Sequence, residues 1–222
     1  MLHPHGPYPT LGLHGERGAA RTTMARVLCS LIDPCIAPLR SAPKDMQALA
    51  VAAANNHIIG LDNLSVMPGW LWDALCRTAT GAGDAYRQLY TDADEVVFNY
   101  TRPIVFTGID EIGTRGDFLD RCLLLHLPAI TSAQRRTEKD FWRTFEVVHP
   151  LLLGTLLDAV SLALQNYGQV SFPEKPRMAD FATWIIACEK TSSRKARPLA
   201  RFRRPIRPIG RKRSRGKSRH RR

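Results

Sequence analysis

A glycine-containing stretch near the N-terminus has residue types that could bind phosphate. The phosphate-binding loop has the pattern G-x-x-x-x-G-K-[ST], between a strand and a helix. Here an apolar run at residues 10–14 precedes the stretch, and a helical pattern follows it from residue 21. Backbone N–H groups at the start of a helix bind anions, helped by the helix dipole. We therefore predict a phosphate-binding stretch of nine residues: Gly15, Glu16, Arg17, Gly18, Ala19, Ala20, Arg21, Thr22 and Thr23.

Two positions depart from the pattern. Ala20 stands where the second Gly is expected, and it adds one methyl group close to the bound anion. Arg21 stands where Lys is expected, and its long planar guanidinium replaces a compact point charge. Taken alone, the stretch fits a phosphate loop and a simple strand-to-helix turn equally well.

An acidic residue follows a later apolar run, at residues 57–61. Asp62 stands where a carboxylate would hold Mg²⁺ through water, and the Thr22 hydroxyl would be the second metal ligand. The alternative is that Asp62 and Asn63 cap a turn. Many ring ATPases have a Glu after this Asp, which polarises the attacking water. Asn63 occupies that candidate catalytic position but cannot act as a base, and Glu111 is a weak substitute.

Further polar residues lie after the buried-type strand at residues 103–107. Thr107 is the candidate sensor that would contact the terminal phosphate. Arg115 and Arg121 are candidates for an arginine finger, which would reach the nucleotide of a neighbouring subunit. The alternative for each arginine is a surface Arg–Asp pair.

The formal charge of +12 is concentrated in the C-terminal tail. Residues 194–222 contain 15 Lys/Arg and no Asp/Glu, whereas the preceding residues have 17 basic and 20 acidic side chains. This distribution excludes a basic globular nucleic-acid binder. Such a tail, expected to be disordered, could bind nucleic acid through counterion release. Equally, it could be a shifted reading frame that replaces the normal C-terminus.

The cysteines and the apolar segments predict a cytoplasmic protein without a membrane anchor. Five scattered cysteines have no C-x-x-C pair, so we expect buried, reduced thiols. The first 13 residues lack the features of a signal peptide. The most apolar segment, residues 151–164, contains Asp158 and is shorter than the roughly 18 residues that span a bilayer.

Alternating strand and helix patterns predict an α/β fold with a mostly parallel sheet flanked by helices. Residues 85–100 read as a hairpin. Helical spacing continues from residue 138 to residue 164, where Pro150 is expected to kink or divide the helix. The predicted organisation is an α/β core over residues 1–130, a helical annex over 131–190 and a disordered Arg-rich tail over 191–222.

Several motifs in order resemble a known family. Residues 15–23, 60–65, 70–81, 89–92 and 115–128 resemble ATP-binding proteins of phages, integrated elements and bacterial genomes, which are similar to AAA+-type ring ATPases related to primase–helicases. The resemblance covers residues 8–189, and Ala20 and Asp62-Asn63 fit it. Arg21 departs from it, because members have Lys there. Members also tend to have an additional N-terminal region.

The resemblance implies a P-loop NTPase fold of the AAA+-like (ASCE) kind that binds ATP and Mg²⁺. It further implies ATP-driven work on DNA in replication or mobile-element maintenance, a homo-oligomeric ring, and a primase or helicase partner. Arg21 argues for weak or absent hydrolysis. The alternative function is a degenerate, non-hydrolysing copy that binds DNA or a partner subunit through its basic tail.

Overall fold

The central element of the protein is a four-stranded parallel sheet. The computed structural model describes residues 6–65, 67–81, 84–87, 95–98, 100–108, 116–172, 174–175 and 177–189. Along the chain the strands are β1 (Thr10–His14), β2 (Ile59–Leu64), β3 (Asp84–Arg87), β4 (Glu95–Phe98), β5 (Ile104–Gly108) and β6 (Cys122–His126). The order in the sheet is β2-β5-β1-β6, and every pairing is parallel. The predicted α/β class is thereby confirmed.

The described part of the chain also contains six helices. They are α1 (Arg21–Ile32), α2 (Met46–Asn55), α3 (Gly69–Thr80), α4 (Gly116–Leu119), α5 (Glu138–Asn166) and α6 (Ala179–Glu189), with short 3₁₀ turns at Ser132–Gln134 and Tyr167–Gln169. α2 begins at Met46 because the Asp45 side chain accepts a hydrogen bond from Ala48 N and caps the helix.

Helices cover both faces of the sheet because alternate residues of its strands point in opposite directions. All five residues of β5 are buried, as expected for a central strand. Val105 of β5 packs with Ala25 and Cys29 of α1 on one face. On the other face Ile104 and Phe106 join the larger cluster built by α2 and α3. That cluster includes Leu49, Ala53, Leu61, Leu71 and Leu75.

The two edges of the sheet differ. At the β2 edge, Arg40 bridges to the strand in parallel: its N–H donates to Gly60 O and its carbonyl accepts from Asp62 N. At the other edge, the outer side of β6 pairs with no strand among the residues that the structure describes. β3 and β4 form a separate antiparallel pair, as the hairpin prediction required, and the turn between them lies outside the described residues.

α5 and α6 pack together as the annex, around Ala163, Trp184 and Ala187. α5 is one continuous helix through Pro150, so the expected division of the helix there is wrong. Proline removes one backbone hydrogen bond at that point. The helix stays continuous because its other backbone hydrogen bonds remain and because Phe145 and Ala163 are buried, one on each side of Pro150.

The span Glu138–Gln169 contains an 18-residue window of mean hydropathy 1.8, of which 6% is buried. By length and composition alone, one helix of the described part could therefore cross a membrane. The expectation that no apolar segment is long enough was wrong, because the apolar helix extends N-terminally beyond residue 151.

All five cysteines are free, but they are not all buried. Cys29 is buried, and burial raises the pKa of its thiol to about 12, with smaller contributions from Cys35 and Asp33. Cys35 is exposed, because it lies in the irregular segment after α1, and this corrects the expectation of buried thiols.

Asp33, at the end of α1, joins that helix to the start of β2. Its Oδ2 accepts hydrogen bonds from His57 N at 2.7 Å and from Ile58 N at 3.0 Å. Asp33→Ala leaves these N–H groups without their acceptor, so we expect the free energy of unfolding to fall by about 1–3 kcal/mol in urea titrations. Glu146→Ala, which removes an exposed carboxylate from the middle of α5, is the control and should change it by less than about 0.5 kcal/mol. Equal effects of the two substitutions would contradict the assigned role of Asp33.

Candidate nucleotide-binding site

Three polar side chains from separate elements meet at the carboxyl edge of the sheet. The Thr22 hydroxyl donates to Asp62 Oδ1 at 3.0 Å, and the Thr107 hydroxyl donates to the same oxygen at 2.5 Å. Ligands of open α/β sheets bind at this edge, outside the carboxyl ends of the strands. The structure therefore brings together the predicted metal ligands and the predicted sensor, although Thr22 and Thr107 lie 40 and 45 residues from Asp62 in the sequence.

A local irregularity in β2 aims Asp62 at this point. The pairing of β2 with β5 shifts register between Leu61 and Leu64, and Asn63 adopts a left-handed conformation with φ 54°. Asn63 N donates to Thr107 Oγ1 at 2.9 Å. Thr107 is 2% exposed and both donates and accepts, so it fixes the relative positions of β2 and β5. Asp62 thus lies within the strand and not after its end, which is a small correction.

The predicted loop lies between β1 and α1. A Cβ on Gly15 would collide with the carbonyl oxygen of Leu127, so the backbones of the loop and of the segment after β6 are in close contact. Gly18 has φ +84°, in the region that favours glycine. Ala20 also adopts a left-handed conformation, with φ 54° and ψ 34°. At the position of the second Gly of the pattern, Ala20 therefore adopts a backbone conformation whose free energy is about 1 kcal/mol higher for alanine than the right-handed one.

The start of α1 faces the same edge without a side-chain cap. Ala20 is the N-cap residue and offers no side-chain hydrogen bond to the first turn. The first N–H groups of a helix have no acceptor within the helix. The N–H groups of the first turn of α1 are therefore available to bind an anion, as a phosphate-binding loop requires.

Arg21 points across the site. Its Nη1 lies 3.5 Å from Gly108 O, at the carboxyl end of the strand that carries Thr107. The guanidinium is thus placed near the cluster, but its contact is with a backbone carbonyl.

Of the two candidate arginine fingers, the structure describes only Arg121, whose backbone lies away from this cluster. Arg115 lies outside the described residues, as does Glu111. Arg121 precedes β6 and its carbonyl accepts from Thr10 N, at the amino edge of the sheet. Because a strand rises about 3.3 Å per residue, Arg121 lies roughly 13 Å or more from the carboxyl edge.

Sequence reasoning missed Arg135. Its Nη2 lies 3.3 Å from the position that a Cβ on Gly18 would occupy, and Ile130 N donates to Gly18 O nearby at 3.2 Å. The segment between β6 and α5 therefore lines the loop and brings a second guanidinium to it. The only sequence signal was the pair Arg135-Arg136 just before the Thr137 helix cap.

The donor set fits one hard cation with water ligands. Among the described residues, no group of three or more His, Cys, Asp or Glu side chains could hold a metal ion. Thr22 and Asp62 supply one hydroxyl and one carboxylate. Mg²⁺ bound with phosphates typically takes only one or two protein ligands and keeps several waters, so the pair suits a magnesium–nucleotide complex.

Comparisons with known proteins give one family match and one loose structural likeness. A family model described as actinomycete integrative conjugative element replication protein matches residues 1–206. Among curated proteins no relative matches the chain. A crystal structure of JCV helicase with a bound acetamide compound is similar at 9% identity and a TM-score of 0.40, over 82% of this chain and 45% of the helicase chain. The chain thus spans less than half of that helicase, and so loose a likeness carries no functional conclusion.

Thr107→Val tests the hydrogen-bonded cluster. The substitution keeps the shape of the buried side chain but removes its bonds to Asp62 and Asn63. We expect a loss of about 1–3 kcal/mol in the free energy of unfolding, because Asn63 N loses its acceptor. Thr107→Ser keeps the hydroxyl and is the matched variant. If Val were tolerated better than Ser, packing and not the hydroxyl would hold β2 against β5.

Proposed function

The chain belongs to the actinomycete integrative conjugative element replication protein family, and we propose that it acts there as a P-loop NTPase-like protein that binds ATP with Mg²⁺. Membership places the chain among the replication proteins of mobile elements. The proposal adds the nucleotide, the metal and the residues that hold them.

One observation carries this proposal: the Asp62 carboxylate is bonded by both Thr22 and Thr107 at the carboxyl edge of the sheet. The three residues come from the helix after the loop, from β2 and from β5. A simple strand-to-helix turn would not require a carboxylate from another strand beside the first turn of α1. A metal-assisted phosphate site requires this arrangement.

The loop and the start of α1 would hold the phosphates. Uncapped N–H groups of the first turn and the positive end of the helix dipole would bind the phosphate oxygens. Arg135 beside Gly18 adds positive charge at the loop. When bound, Mg²⁺ would neutralise the charge of the phosphates. Thr22 and Asp62 would hold the ion, and Thr107 would keep Asp62 in position.

Arg21 decides between the two forms of the proposal. In the ATPase form it takes the place of the loop lysine. Its contact with Gly108 O favours the second form, in which the protein binds nucleotide but turns it over slowly or not at all. In that form the work on DNA belongs to the basic tail or to a partner subunit. Arg121 would matter only in a ring, where it would meet a neighbour's nucleotide.

MgATP binding tests the site, measured by isothermal titration with the full chain. We expect Thr22→Ala and Asp62→Asn each to weaken binding at least about tenfold in the presence of Mg²⁺, equivalent to about 1.4 kcal/mol. Thr155→Ala removes an exposed hydroxyl of α5 that donates to Leu151 O, and it should leave binding unchanged. Absence of MgATP binding by the natural chain would rule out the nucleotide site.

Steady-state hydrolysis of the natural chain beside Arg21→Lys then separates the two forms. If the natural chain binds ATP with little hydrolysis and Arg21→Lys raises the turnover at least about tenfold, the natural site is a disabled ATPase. If both proteins turn over at similar rates, Arg21 serves as well as Lys and the ATPase form is correct.

Deletion of residues 194–222 tests the tail as the DNA-binding element. Since the tail holds 15 Lys/Arg, its removal should lower affinity for DNA at least about tenfold and flatten the dependence of that affinity on salt. MgATP binding should persist, because the cluster lies within the core. Fluorescence anisotropy with labelled DNA at several salt concentrations measures the effect. Unchanged DNA affinity would refute a role for the tail.

A further inference from the structure

α5 is exposed over most of its surface, and three of its four most exposed apolar side chains lie on one side. We call this side the outer face of α5; it is opposite Phe145 and Ala163 and contains Arg143, Val147, Leu151, Gly154, Leu157 and Asp158. Val147 and Leu151 are each 73% exposed, and Leu157 is 57% exposed. Large apolar side chains exposed in a row on one side of a helix favour an interaction site there.

The central part of the outer face is also open to close approach. A Cβ added to Gly154 would meet nothing within 4 Å. Glycine costs about 1 kcal/mol relative to alanine in a helix, so its place there calls for a reason outside the helix itself. A glycine on a helix surface can receive a large side chain from a second helix.

Two occupants fit the face poorly. The basic tail is rich in Lys/Arg and would not cover apolar side chains. A lipid surface prefers helices whose polar residues are basic and lie opposite the apolar ones. Here Asp158 lies within the apolar face, and its negative charge opposes an anionic bilayer. A protein surface with a matching positive charge suits it better.

We propose that the outer face of α5 binds the same face of a second copy of this chain, with the two helices antiparallel. In a twofold contact, residue i of one copy meets residue j of the other, and j meets i. Arg143 and Asp158 are equally distant from the point between Pro150 and Leu151. Val147 and Gly154 are equally distant from the same point.

This register satisfies charge and shape together. Arg143 of each copy faces Asp158 of the other, which gives two ion pairs, one at each end of the contact. The Val147 side chain of each copy lies over Gly154 of the other, where the structure shows open space. Leu151 fills the centre, next to the twofold axis. Within one chain Arg143 already pairs with Asp140 at 2.9 Å, which holds its side chain on the outer surface. The contact goes beyond the proposed function and does not depend on bound nucleotide.

Sedimentation velocity of the full chain tests this contact. At up to about 100 µM we expect a species of twice the 24.9 kDa chain mass. Arg143→Asp or Asp158→Arg alone should weaken the dimer at least about tenfold, because each places like charges opposite each other. The double variant Arg143→Asp/Asp158→Arg should restore it, because the pair is re-formed with reversed sign.

Gly154→Leu separates dimerisation from folding. Within one chain the new side chain enters open space, so the monomer should unfold at the same or higher temperature. In the dimer it would collide with Val147 of the other copy and weaken association at least about tenfold. Val51→Lys is the control, since Val51 is 50% exposed on α2 and should not affect association.

Three results would overturn the proposal: a monomer throughout this range, an oligomer indifferent to Gly154→Leu, or no rescue by the double charge reversal. Flotation with phosphatidylglycerol vesicles tests the lipid alternative. A monomeric chain that floats with vesicles, and loses this property on Leu151→Lys, would assign the outer face to a bilayer instead.

Discussion

The arrangement of this protein depends on β5, which is buried along its whole length and pairs with β1 on one side and β2 on the other. Its position brings the loop after β1 and the acidic residue of β2 to either side of Thr107. Since parallel strands end at the same edge, the polar residues at their carboxyl ends must converge. Burial of five consecutive apolar or small residues thus determines where these polar side chains meet.

Much of this arrangement could be predicted from the sequence. The apolar run before Gly15 and the helical spacing after it correctly placed β1 and α1, because both patterns are long and regular. Asp62 and Thr107 were singled out for standing at the ends of apolar runs, and the structure brings them together with Thr22. The register shift at Asn63 could not be foreseen, since a left-handed residue inside a strand depends on the pairing around it.

Other features depend on contacts that no local pattern encodes. Arg135 approaches Gly18 only because the segment after β6 folds back over the loop. In α5, apolar residues occur all round the helix, so periodicity alone could not tell which side is covered. Leu164 ends the predicted run of helical spacing, yet it is 62% exposed. The continuity of α5 through Pro150 likewise reflects packing on both sides of the proline, which outweighs the local preference to break the helix.

The two edges of the sheet differ in how readily they can pair with a strand of another chain. At the β2 edge the bridge from Arg40 occupies part of the outer row of backbone donors and acceptors. On the outer side of β6 no described residue forms such a bridge, and Leu125 of that strand is 45% exposed. Unpaired edges recruit strands from other chains, and short edge strands limit that recruitment. If this protein aggregates through its sheet, growth is therefore directional: it starts beside β6, and the five-residue length of that strand is the main protection against it.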